Sequence, residues 1–361
     1  MMKRRATRSD VALRAGVSKT TVTFVLAGRD DIAIPETTRN RVREAARELG
    51  YQPSAIAQAL VTGKTNAITV AFPNLFVPHY ARVLRAFEEH TNANGFHLIA
   101  STLGHIQPRN IVPDFYTVVN SPSDAVILVD MPDACKPYIA EMAPFSKPVV
   151  VICTEDVPGV DCVEIDKQTG ADAAMAHLLE SAPRRVAFFG FGSEDEMVRV
   201  MRRAAVGECD PRAIAYHRAM TETGRAIELI YGSHAGRRAR IGLLREYVDR
   251  NGCPDAIYCY DDESAISAHH CLRRMGYRMP DDVLLTGYDG NEECEYLEPP
   301  LTTVIQPVEE MCSAAWEFIA RRLNEDVEQR QHIKLDVQLA VRESSVRSVV
   351  EDAPRSLHSV K

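Results

Sequence analysis

Lys19, Thr20, Thr21 and Thr23 bring an ammonium and three hydroxyls together inside residues 9–28, SDVALRAGVSKTTVTFVLAG. Such a group can donate to phosphates and can both donate to and accept from base edges. A second concentration is Asp261-Asp262-Glu263, the raw material of a carboxylate pair or a cation site. Three adjacent acids do not converge on one point, however, and a helix start favours acids through its dipole. No G-x-S-x-G, HExxH or phosphate-loop motif occurs, so neither an enzyme nor a cofactor nor a metal is expected. The nine cysteines (135, 153, 162, 209, 253, 259, 271, 294, 312) lack ligand-like spacing. They predict reduced thiols in a cytoplasm rather than disulfides or a zinc site.

Two short helices must hold the first group. Val11, Ala12 and Ala15 make one apolar stripe, and Val17, Val22, Val25 and Leu26 another. Gly16 suits the positive φ of a tight turn, and Ser18 stands where a helix N-cap belongs. Lys19 to Thr23 then occupy the outward, N-terminal end of the second helix. That end reads the major groove in a helix-turn-helix, although an ordinary helical corner with a solvated face shows the same pattern. Ile34-Pro35-Glu36 opens a third helix, with Val42, Ala45, Ala46 and Leu49 on one face and Gly50 at its end. In residues 51–65, YQPSAIAQALVTGKT, Ile56, Ala57, Leu60 and Val61 recur at helical spacing, too apolar for a solvated tether.

Charge divides the chain in the same place. Residues 1–64 carry 12 Lys and Arg against 6 Asp and Glu, whereas the whole of the 361 residues has a net charge of −8. A basic head on an acidic body is the distribution of a protein whose head alone touches phosphates. MMKRRATRSD is followed by no apolar signal core and no run spans a bilayer, so a cytoplasmic protein is expected.

From residue 66 apolar β-rich runs alternate with helical segments. The runs are 67–72, 96–100, 124–130, 148–152, 185–190, 226–231, 255–260 and 282–288; the helices include 79–94, 168–180, 236–250 and 263–276. This alternation predicts doubly wound parallel sheets in two lobes. A long loop is expected over 191–210. Ligands sit beyond the carboxyl ends of such strands, where His79 and Tyr80 open a helix.

DVALRAGVSKTTVTFVLAG followed by PETTRNRVREAARELGYQPSAIAQALVTGKT resembles the headpiece and hinge of the LacI/GalR family of bacterial transcription regulators. The resemblance runs through essentially the whole chain. It implies a sequence-specific DNA-binding repressor, a homodimer on a palindromic operator, controlled allosterically by a sugar or related metabolite. The fold implied is an all-α helix-turn-helix headpiece (1–52), a hinge helix (53–65) and a two-lobed α/β core of periplasmic-binding-protein type (66–350). Its first lobe would be 66–162 with 293–325, its second 163–292 with 326–345, and 351–361 a disordered tail. The implied DNA contacts are Thr7, Ser18, Lys19, Thr20, Thr21, Thr23, Phe24, Thr38 and Arg39, with Arg39 on phosphates. In the hinge, Ser54 and Ala57 flank Leu60, which would wedge into the minor groove.

Thr23 and Phe24 depart from the family's usual serine and arginine, and Ser54 from its asparagine, which puts the operator sequence in question. In the core, DPRAIAYHRAM resembles the family's R-x-x-G-[aromatic] motif with Ala215 for the glycine, and gives Arg212. DAIYCYDDESA matches a strand-then-Asn-Asp segment with Asp261 for the asparagine, and LLTGYDG supplies Asp289. With His79 and Tyr80 these form the implied effector site. PPLTTVIQPVEEM (299–311) resembles the family's interface, and the absence of a leucine heptad after residue 342 argues against a tail-driven tetramer. The alternative is a solute-binding protein on the same core without regulatory DNA binding. Residues 1–64 count against it.

Overall fold

The computed structural model describes residues 6–51, 59, 62–73, 75, 77–102, 111–131, 135, 138–139, 147–232, 236–326 and 328–347. The chain forms two compact units: residues 1–67 with 122–124, and residues 68–121 with 125–361.

In the first unit, α1 (Arg8–Ala15) begins at a capping box in which Thr7 and Asp10 satisfy each other's backbone N–H groups. Gly16, at φ 61°, turns the chain into α2 (Lys19–Leu26), where the Ser18 hydroxyl accepts from the Thr21 N–H. α3 (Glu36–Glu48) completes a core of Val11, Ala15, Val22, Val25, Val42 and Ala45. Each fully buried valine contributes on the order of 1.5–3 kcal/mol. The apolar stripes expected from the sequence meet here, although Leu49 remains partly exposed.

The second unit contains two sheets. The first has strand order β11-β5-β4-β3-β1-β2, built from β1 (Ala67–Phe72), β2 (His97–Thr102), β3 (Ala125–Val129), β4 (Val149–Cys153), β5 (Asp161–Asp166) and β11 (His332–Asp336). The second runs β7-β6-β8-β9, from β6 (Val186–Phe189), β7 (Glu228–Ile230), β8 (Ala256–Cys259) and β9 (Leu284–Thr286). Its strand pairs are all parallel. β10 (Thr303–Ile305) pairs antiparallel with β12 (Gln338–Ala340).

Side chains alternate to opposite faces of each strand, which divides the core cleanly. Ile68, Val70, Ile127 and Val150 point to α4 (Pro78–Ala93) and α11 (Val308–Leu323), while Val126, Leu128 and Val151 point to the face covered by α5 (Ile111–Val119). In the second sheet Val186, Phe188 and Tyr258 face α6 (Lys167–Glu180), α7 (Glu194–Ala204) and α8 (Pro211–Glu222). Ala187, Phe189 and Ile257 face α9 (Gly236–Asn251) and α10 (Asp262–Arg274).

The chain passes between the lobes at Asp166–Lys167, Ile305–Val308 and Asp336–Gln338, which differs from the expected division. β5 stays in the first sheet through Asp166, Leu301 and Val304 stay with the second lobe, and β11 adds to the first sheet beside β5. β11 is an edge strand, mostly exposed, so its sequence HIKLD has no apolar run to signal it. The loop expected over 191–210 is largely helix. Ser193 and Glu196 form a capping box, and Met197, Met201 and Ala204 bury one face of α7.

Candidate functional site

On the headpiece, Ser18, Lys19 and Thr20 are exposed at the first turn of α2, with Thr21, Thr23 and Phe24 half-buried behind them. Two hydroxyls are already engaged. Thr23 Oγ1 donates to the Lys19 carbonyl at 3.0 Å and accepts from Arg8 Nη1 at 2.8 Å. Thr21 Oγ1 lies 2.9 Å from Ser18 Oγ. Lys19 and Thr20 are therefore the freest to reach outward. Thr7 serves as the α1 cap, and Thr38 is half-buried in the first turn of α3.

Arg39 does not take the phosphate-contacting place expected of it. Only 5% exposed, it donates to the carbonyls of Arg29, Ile32 and Ile34 at 2.9, 2.9 and 3.2 Å, and pairs with Asp30 at 3.2 Å. It ties the α2–α3 connection to α3. Ser54, Ala57 and Leu60 lie outside the described residues.

In the second unit, a cavity of about 660 Å³ opens between the lobes at the carboxyl ends of the strands. His79, Tyr80, Arg212, Asp261 and Asp289, all five expected from the sequence, line it. Asp210, the cap of α8, holds Arg212 in a two-pronged pair, Nε to Oδ1 at 2.8 Å and Nη2 to Oδ2 at 2.7 Å. Nη1 donates to the Tyr260 carbonyl at 2.9 Å, and the guanidinium carbon lies 3.6 Å from the Tyr260 ring centroid. Burial works to raise the Asp210 carboxyl, but Arg212 overrides it and holds it at about 2.

Asp289 sits at φ 119°, a conformation rare for a residue with a side chain, and one that functional sites concentrate. Its N–H donates to the Val304 carbonyl, and its carboxyl accepts from Gln306 at 2.8 Å. Burial pushes this carboxyl up, against the pull of Arg212 at 3.9 Å. Asp261 caps α10, accepting from the Ser264 N–H and hydroxyl at 2.7 and 2.6 Å. Its neighbour Asp262 is directed inward to Thr303 and the Asn291 N–H, and burial raises it to about 7. The acidic run therefore splits, Asp261 and Glu263 lining the cleft and Asp262 directed to the core.

From the first lobe, Tyr80 donates to Asp130 at 3.3 Å; Lys167, which opens α6 and is 5% exposed, pairs with the same Asp130 at 2.9 Å. Burial drives the His79 imidazole down to about 3 against Asp130, so it is neutral, and its buried Nδ1 has no hydrogen-bond partner. Sequence reading missed Asp130, Lys167, Asp210, Tyr260 and Gln306. Asp210 had a signal, an acid directly before the Pro that opens a helix; the others become partners only once the two sheets face each other.

Among the described residues, one group has metal-ligand potential: Asp156, Cys162 and His332, whose ligating atoms lie within 4.8 Å of one another. Arg330 already occupies Asp156, and His332 lies 3.1 Å from Glu164, which Lys334 also pairs. The cluster is an ion-pair network. Among the described residues, no helix is long and apolar enough to cross a membrane.

Residues 7–54 match the family described as bacterial regulatory proteins, lacI family, and residues 175–345 match the periplasmic binding protein-like domain. The chain is 29% identical over 344 residues to the HTH-type transcriptional regulator DegA of Bacillus subtilis, covering 93% of this chain and 97% of the relative. It is 26% identical over 345 residues to the HTH-type transcriptional repressor PurR of Photobacterium profundum, covering 94% and 98%. Among solved structures, a LacI family regulator from Silicibacter pomeroyi superposes with a TM-score of 0.79 at 23% identity, covering 95% of this chain and 100% of that one. The Lac repressor dimer bound to operator and the anti-inducer ONPF gives 0.75 at 19%, again covering 95% and 100%. A CelR–cellobiose complex gives 0.60 at 24%, covering 94% and 100%. These structural likenesses concern the fold; the sequence matches join a helix-turn-helix to this core in one chain. The chain carries a lacI-family DNA-binding domain and a periplasmic-binding-protein-like domain, the pairing found in LacI-family regulators, and is a DNA-binding transcription regulator.

Proposed function

We propose that this regulator is a repressor that binds a palindromic operator as a homodimer and changes its affinity when a sugar or related metabolite fills the cleft. One observation carries the effector half of this reading. Arg212 is buried, braced by Asp210 and stacked on Tyr260, yet it faces the same cavity as residues of the opposite lobe. A guanidinium so fixed presents its remaining donors to whatever enters, and a ligand touching both lobes favours one lobe arrangement. The CelR and Lac repressor complexes, solved with cellobiose and with ONPF, support a carbohydrate-like class. The site of action is then the cytoplasm, on chromosomal DNA.

Lys19 and Thr20 contact bases in each half-site, and the hinge residues Ser54, Ala57 and Leu60 act at the centre. The lobes transmit ligand binding to the headpieces, and a strong switch requires several kcal/mol of preference for one arrangement.

The test is selection from a random double-stranded DNA pool with the full chain, followed by affinity measurement against salt. The expected result is a two-fold symmetric motif whose affinity falls steeply with log[salt]. A pool that yields no motif, with no binding above background at low salt, rejects operator binding.

A further inference from the structure

The residues of α2, KTTVTFVL, include no arginine, asparagine or glutamine. The helix therefore lacks a planar fork, the group that reads guanine O6 and N7, or adenine N6 and N7, through two parallel hydrogen bonds. Lys19 can reach a guanine, but as a point charge that suits a phosphate equally well. Phe24 has no polar atom. The Thr23 hydroxyl is spent, because it donates to the Lys19 carbonyl at 3.0 Å and accepts from Arg8 Nη1 at 2.8 Å.

Arg8, the first residue of α1, brings a fork onto this surface. It is exposed, and the bond to Thr23 uses one of its five N–H groups. The Nε–Nη2 edge has no partner among the described residues. Its charge is uncompensated as well. Arg14, Arg29 and Arg43 pair with Glu48, Asp31 and Glu36 at 2.7, 2.6 and 3.0 Å, and the buried Arg39 pairs with Asp30. Arg8 is held by a neutral hydroxyl instead.

That difference separates two uses of an exposed arginine. A phosphate needs charge and accepts it from many directions, so a mobile side chain serves. A base edge needs the guanidinium plane fixed in register with two acceptors. The bonds from Arg8 to Thr23 and from Thr23 to the Lys19 carbonyl fix that plane against α2, one turn along from Lys19.

We propose that Arg8 reads a guanine in each operator half-site through its Nε–Nη2 edge, and that Thr23 is its positioning residue rather than a base contact. The proposal rests on operator binding through α2.

The test is selection from a random double-stranded DNA pool with the full chain and with Arg8→Ala, Arg8→Lys and Thr23→Val, followed by titration of sites carrying each base at each position. The wild type is expected to give a motif with a symmetric pair of guanines that Arg8→Ala no longer distinguishes. Affinity for the guanine site falls by roughly ten- to a hundredfold, while random DNA is bound as before and the other positions keep their preferences. Arg8→Lys restores the charge without the fork and leaves the guanine preference weakened. Thr23→Val, which removes the brace and keeps the branched shape, weakens the preference at that same position by about severalfold. Combining it with Arg8→Ala adds no further loss there, because the two residues act as one unit.

A uniform loss on all sequences overturns the proposal, and a salt slope reduced by about one would then make Arg8 a phosphate contact. So does a motif that survives Arg8→Ala unchanged, a loss at a base other than guanine, or a Thr23→Val effect at a different position. Each of these leaves operator binding standing. A wild-type pool that yields no motif removes operator binding and the guanine reader together.

Discussion

Two arginines show how burial decides a role that residue type leaves open. Arg212 and Arg39 are both nearly inaccessible, yet one faces a cavity and the other commits Nε and Nη2 to three backbone carbonyls. Arg39→Ala is therefore expected to destabilise the headpiece by about 2–3 kcal/mol, the loss of hydrogen bonds made by a charged group. Hydrogen exchange on the full chain should show faster exchange across residues 8–48. Operator affinity should fall at every salt concentration with an unchanged salt slope, whereas a phosphate contact would reduce that slope by about one.

His79 offers a second case. Its imidazole is held at about 3 in the folded chain against an ordinary value of 6.5, by burial first, with Lys167, Arg82 and Arg212 adding to the effect and Asp130 opposing it. Between those values the unfolded chain binds the extra proton, so this residue's contribution makes stability rise with pH across that window. His79→Leu should remove that component. The difference between wild-type and variant stability should therefore drift with pH from about 6.5 downward, moving against the wild type as the solution becomes more acidic. Parallel stability curves between pH 4 and pH 8, about the range accessible to folded chains, would show that His79 is not buried in this way.

α7 shows a local signal acting at a distance. The Ser193–Glu196 capping box starts a helix whose Met197, Val200 and Arg203 line the cavity. Ser193→Ala should cost about 1 kcal/mol of helix stability. Faster hydrogen exchange confined to residues 194–204, together with weaker ligand binding, is the expected pattern; unchanged exchange there would mean that the cap does not hold the helix. α2 behaves similarly in the headpiece, where Ser18 fixes the first turn and so aims Lys19 and Thr20 outward.

The two lobes communicate through more than their connecting segments. Arg82, on α4 of the first lobe, donates to the Gly290 carbonyl of the second at 2.7 Å, directly after the strained Asp289. Arg82→Met should favour lobe separation in the absence of ligand and reduce the apparent ligand affinity by the fraction of closed molecules lost, roughly several-fold. Small-angle scattering of the ligand-free chain would register the opening as a larger radius of gyration. An unchanged radius with unchanged affinity would assign Arg82 to local packing alone.

Local signals in the chain specify its elements. Gly16 and Ser18, the periodic stripes of α1 to α3, and the strands from Ala67–Phe72 to Leu284–Thr286 were legible because their signals are local: a cap, a turn, an apolar repeat. The five residues expected to meet an effector all line one cavity, because the ends of parallel strands gather their loops on one side. Tertiary structure decided the rest. β11 joined the first sheet because an edge strand needs only one partner and little apolar sequence. Arg39 became a brace because three carbonyls converge on it only after α2 and α3 pack. Arg8 carries no motif at all. It reaches Thr23, fifteen residues away, only after α1 and α2 pack.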